Sequence, residues 1–161
     1  MKKFRDNLNQ DWVIELTLGE VRRLRGLLGL DLFHPQHHLQ VLHSLTDRIA
    51  FVCLLCEKQR DEYEISIDEF EERLTGQGFA HNASIAFLEE LSDFFRRYGQ
   101  EAQARLNERS LKVMREGNER ITTMTTNGEF DSLLDSAETE LERLLRNNAG
   151  NGSQNSPPTQ E

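Results

Sequence analysis

Polar and apolar positions alternate at the start of the chain. Residues 2–6 and 12–16 flank Asn7-Leu8-Asn9-Gln10-Asp11, a run of turn formers. Trp12-Val13-Ile14-Glu15-Leu16 carries the aromatic and β-branched side chains of a half-buried strand. The pattern predicts an N-terminal β-hairpin. Two strands are marginal alone in water, so the hairpin needs helices to rest on.

The period then changes to 3.6. Thr17-Leu18-Gly19-Glu20 reads as a capping box, with Leu16 and Val21 placed as its hydrophobic staple. Val21, Leu24, Leu27 and Leu28 form the stripe expected to be buried, leaving Arg22, Arg23 and Arg25 to water. Pro35 suits the first position of a second helix, where its missing N–H costs nothing. Leu45, Ile49, Val52, Cys53 and Cys56 recur at helical spacing and predict one continuous buried face, the strongest periodic signal in the chain. Ser66-Ile67-Asp68-Glu69 is a second capping box, with Phe70 and Leu74 inward and Thr75-Gly76-Gln77-Gly78 as the stop. Phe87, Leu88, Leu91, Phe94 and Phe95 make a further stripe that ends at Tyr98-Gly99. The expected core sets Leu45, Ile49 and Val52 against Leu88, Leu91 and Phe95, with Trp12 covering them from the hairpin.

Beyond Gly99 the apolar series thins to Leu106, Leu111, Met114 and Ile121 in a highly charged helical stretch. Asn127-Gly128 breaks it, and residues 129–146 recover an apolar stripe. The predicted fold class is mainly α. It comprises a small helical domain with a short N-terminal β-hairpin over residues 1–98, a helical extension over 99–146, and a disordered tail over 147–161 that has nothing to bury. Phe130, Leu133, Leu134, Leu141 and Leu145 are the candidate partner-binding residues, a stripe suited to a groove or a second helix; the alternative is that residues 129–146 fold back on the core.

Charge narrows the function by subtraction. With 28 acidic and 19 basic side chains the net charge is −9, which repels phosphate and disfavours nucleic acid and anionic membrane surfaces as partners. The acidity is uneven: +2 over residues 1–60, −7 over 61–98 and −4 over 99–161. The first residues lack an apolar signal segment, and two cysteines three apart are no disulfide framework, so a reducing, cytoplasmic setting is expected.

Candidate chemistry is sparse. His34, His37, His38 and His43 crowd one stretch, but no carboxylate or thiol stands at short helical spacing from them, so a metal site is not expected. Cys53-Leu54-Leu55-Cys56 lies within a helix on its apolar face, where free cysteine behaves as a small hydrophobe; redox motifs of this form open a helix instead. Residues 60–71 fail as a calcium loop, because the position needing Gly falls on Ile65. Gly76-Gln77-Gly78 lacks the further glycine or lysine of a phosphate loop. Neither an enzyme nor a cofactor is expected.

The order of elements carries one resemblance. A hairpin ending in Trp12-Val13-Ile14-Glu15-Leu16-Thr17 leads into Val21-Arg22-Arg23-Leu24-Arg25 and Gly29-Leu30-Asp31-Leu32. A helix ending at Leu54-Leu55-Cys56, then Ile65-Ser66-Ile67-Asp68-Glu69-Phe70, and a helix ending in Asp93-Phe94-Phe95 follow. Over residues 1–98 this resembles the tail assembly chaperones of long-tailed bacteriophages and prophages. The resemblance implies a non-enzymatic protein that keeps a tape measure protein soluble and recruits tail tube subunits, with self-association open to it. A small bacterial helical adaptor without a phage role is the alternative.

Overall fold

Strands β1 (Lys2–Arg5) and β2 (Asp11–Ile14) form the predicted antiparallel hairpin, with Phe4 opposite Trp12 and Lys2 opposite Ile14. Phe4, Trp12 and Ile14 are buried while Lys3 and Arg5 are not fully covered, so one face of the hairpin supplies the core. The computed structural model describes residues 1–76, 78–126, 135–140 and 143. Among these the protein is mainly helical with this two-stranded N-terminal sheet.

Helix α1 (Leu18–Leu28) starts where the capping box predicts, with Thr17 Oγ1 accepting from the Glu20 amide at 3.2 Å. It ends on Gly29 at φ 70°, a conformation that glycine adopts without a steric cost. Leu16 and Val21 are both buried, as a staple requires. Leu27 is the exception in its stripe. It stands about 100° round the helix from Leu28 and is 59% exposed. Arg23 does not simply face water: it bonds Glu20, Glu57 and the Leu54 carbonyl, each at 2.8 Å, tying α1 to the end of the third helix.

Helix α2 (Pro35–His43) has Pro35 at its first turn. Ser44 caps α3 (Leu45–Leu55), accepting from the Asp47 amide. The α3 face does not continue through Cys56 as a single helix. Cys56 joins α3 to the short α4 (Glu57–Glu62), followed by α5 (Ile67–Arg73) with its Ser66 cap. Helix α6 (Phe79–Arg97) carries the whole apolar stripe inward: Phe87, Leu88, Leu91, Phe94 and Phe95 are all fully buried. It lies against β1 and α3, and Phe51 of α3 stacks on Phe87 at 5.3 Å. Helix α7 (Glu101–Thr126) follows Gly99, which has φ 69°.

The expected core differs at four residues. Val52, Leu88, Leu91 and Phe95 are fully buried, but Ile49 is half-buried and Leu45 is 46% exposed. Leu45 lies on the predicted face, yet at the first helical position, where α3 overhangs an open cleft. Phe51, off the predicted stripe, is fully buried because α3 is enclosed by neighbours on several sides. Trp12 packs edge-on against Phe70 at 4.6 Å and Tyr63 at 5.6 Å, so its ring partners lie on α5 and at the end of α4.

Two compact units divide the chain, Met1–Met114 and Arg115–Glu161. The boundary expected at residue 98 therefore falls inside the first unit. Ala104, Asn107 and Leu111 of α7 are buried in it, one residue per turn and only one of them large and apolar, a pattern too sparse to register as a hydrophobic stripe. In the second unit, residues 135–140 are helical and exposed, and Arg143 pairs with Glu140 at 3.0 Å. Among the described residues no helix is long and apolar enough to cross a membrane.

Candidate functional site

The polar groups of the first unit are mostly spent on holding it together. Asp6 is fully buried and accepts from the amides of Leu8 and Gln10, both at 2.9 Å, and from the Trp12 indole at 3.0 Å. Glu90, also fully buried, accepts from the Leu16 amide and from Arg97 at 3.0 Å, and its other oxygen pairs with the Met1 ammonium. Arg97 in turn donates to the Leu16 carbonyl at 2.8 Å, so the hairpin's exit is clamped to α6. Arg48 of α3 reaches back to the Val41 and Leu42 carbonyls at the end of α2, where a cation opposes the helix dipole, and its Nε meets Ser84 of α6. Burial pulls the Arg48 pKa down, against a smaller upward pull from Asp47. Sequence reading passed over these groups. Glu90 stands three residues after Phe87 and four before Phe94, on the apolar face of α6, and that position is the signal that would have found it.

The four clustered histidines point to different tasks. His34 caps α2 without a side-chain bond, and its ring lies 4.7 Å from that of His37. His37 Nδ1 accepts from the Asp31 amide at 3.0 Å. His38 turns inward, 2.6 Å from Asn107 Oδ1 on α7 and 5.0 Å from the Phe95 ring. Burial lowers its pKa, against a smaller upward effect of the Asn107 bond. His43, at the other end of α2, is exposed. No three His, Cys, Asp or Glu side chains among the described residues are grouped as metal ligands. Cys53 and Cys56 are free and buried, and burial pushes both thiols up to about 12, far from a reactive thiolate.

One feature with room for a partner is a groove between α2 and the first half of α7. Two adjoining cavities of about 330 and 270 Å³ share Leu39 and Leu106. Leu42, Val113 and Met114 extend the apolar floor, with His43 and Arg109 at the rim. Leu39 is 43% exposed, Leu106 39% and Val113 63%, so three large apolar side chains that line one cavity face solvent. The His38–Asn107 bond lies beneath and holds the two walls together. A second cleft of about 730 Å³ lies between α3 and the turn after α5. Leu45, Ile49, Leu74 and Ala80 line it, with Glu71 and His81 at its edge.

All five sequence-predicted partner residues, Phe130, Leu133, Leu134, Leu141 and Leu145, lie outside the described residues. Sequence reading did mark Leu106 and Met114, but as a sparse series. Leu39 and Val113 escaped it because a groove is made by two helices separated by some sixty residues, and no single-helix period encodes that. No family model, curated protein or solved structure matches the chain, so the functional reading rests on geometry and on the resemblance drawn from its sequence.

Proposed function

We propose that this protein is a non-enzymatic binding protein of the tail assembly chaperone type, acting in the cytoplasm of the host cell. It holds apolar helices of a tape measure protein in solution and brings tail tube subunits to them. The observation that supports this reading is the open apolar groove between α2 and α7, where Leu39, Leu106 and Val113 stand exposed. A lone exposed leucine is ordinary, whereas a set lining a concavity of this size fits a docked helix, whose anchors recur every three to four residues. Burying those three side chains removes apolar surface from water without reorganising the core.

Co-expression tests the proposal. A tape measure protein produced with the full chain should partition into the soluble fraction, and Leu106→Asp or Val113→Asp should return it to the pellet while leaving the chaperone folded by circular dichroism. A tape measure protein that stays insoluble with the unmodified chain would reject the chaperone reading. One that stays soluble with both variants would move the contact away from this groove.

A further inference from the structure

We propose that the α2/α7 groove selects an amphipathic helix whose polar flanks are acidic. This deepens the reading of the groove as a docking site and rests on it. The argument is one of charge. The chain has nine more acidic than basic side chains, yet none of the residues lining the two cavities is Asp or Glu. Helix α2, Pro-Gln-His-His-Leu-Gln-Val-Leu-His, contains no carboxylate at all, and its last turn ends on exposed His43.

Across the groove, Arg109 is exposed at the rim and makes no ion pair among the described residues. Arg105 stands one turn before it, also exposed. Glu108, the nearest acidic neighbour in sequence, is not among the residues lining either cavity and is engaged by Arg96. A net-acidic protein thus presents one concave apolar strip with a cationic edge. An incoming helix with Leu-type anchors and Glu or Asp beside them would bury its anchors against Leu39, Leu106 and Val113 and set its carboxylates over Arg109 and Arg105. A basic helix would meet the same anchors but an unfavourable edge, and like charges set against each other weaken docking and select against the wrong partner.

The test uses the full chain and two synthetic 18-residue helical peptides with the same leucine face, one flanked by Glu and one by Lys. At low salt the Glu peptide should bind about fivefold more tightly, the scale of two or three exposed ion pairs, and the gap should close as salt shortens the Debye length from ~10 Å. Arg109→Glu should reverse the preference, and Leu106→Asp should abolish binding of both peptides. The milder Arg109→Gln reads the same preference, as its loss, should the charge reversal disturb folding. Equal binding of the two peptides, tighter binding of the Lys peptide, or a preference indifferent to Arg109 would each overturn the inference. So would a concentration-dependent dimer that Leu106→Asp dissociates, since the occupant would then be a second copy of this chain. These readouts are separate from tape measure solubility. A chaperone that solubilises its client but shows no peptide preference leaves the function standing and removes the charge rule.

Discussion

The Trp12 indole N–H donates to the Asp6 carboxylate at 3.0 Å, and both residues are fully buried. The same carboxylate closes the hairpin turn through the amides of Leu8 and Gln10, and Arg73 of α5 stands 3.7 Å away. One side chain thereby sets the turn, orients the aromatic that plugs the hairpin onto α5, and faces a cation from that helix.

Asp6→Ala should therefore cost about 3 kcal/mol, since it strands a buried indole donor and two turn amides. Asp6→Asn, which keeps an acceptor but loses the charge, should cost roughly half as much. Urea unfolding followed through the fluorescence of the single Trp measures both. Equal stability of the alanine variant and the parent would show that the turn holds without Asp6.

The exposure difference between two residues expected in one core makes a paired test. Phe95 is fully buried against Phe33, Phe94 and His38. Phe95→Ala should cost about 3–5 kcal/mol. Leu45→Ala, at a 46% exposed position, should cost under about 1 kcal/mol. Thermal melts that ranked the two the other way would reassign the buried face of α3.

Acid should weaken the fold through His38, which ties α2 to α7. Burial depresses the folded-state pKa of His38 below its ordinary 6.5. Above 6.5 the imidazole is neutral in both states and the stability is fully present. As pH falls from 6.5 towards the depressed value, the unfolded chain takes up a proton that the folded one does not, and stability is lost. Denaturant midpoints at pH 7.5, 6.5 and 5.5 should fall in that order, and His38→Gln should flatten the slope. An unchanged slope in the variant would assign the acid sensitivity to another group.

Cys53 and Cys56 should resist iodoacetamide in the native state and react only through unfolding. Burial raises both thiols from 9.0 to about 12, so below pH 9 almost no thiolate is present in the fold. Above pH 9.0 the unfolded chain ionises first, and stability should decline as pH rises. Alkylation as fast in the native protein as in urea would contradict this burial.

A chain ending at Gly99 should be markedly less stable than one ending at Met114. The shorter chain loses Ala104, Asn107 and Leu111 and leaves His38 without its partner. The longer one keeps them all and should melt cooperatively. Matching melting temperatures would restore the boundary to residue 98.

Local signals were the legible part of the sequence. The capping boxes at Thr17 and Ser66, Pro35 at a helix start, the Gly99 stop and the alternation of the hairpin each act over a few residues, so their chemistry can be read from neighbours in the chain. The α6 stripe was legible for a similar reason, since five large apolar residues on one face have nowhere to go but inward.

Tertiary structure decided the rest, because the determining partner lies far along the chain. Leu45 is exposed since it borders the open cleft between α3 and the turn after α5, and Phe51 is buried since several elements enclose that helix. Arg48 is inside because α2 ends within its reach, and Glu90 because the hairpin brings Leu16 to it. The α2/α7 groove is the clearest case. Helix period predicts which residues share one face, but a concavity needs two faces set side by side, and that spacing is fixed here by a bond between His38 and Asn107, sixty-nine residues apart.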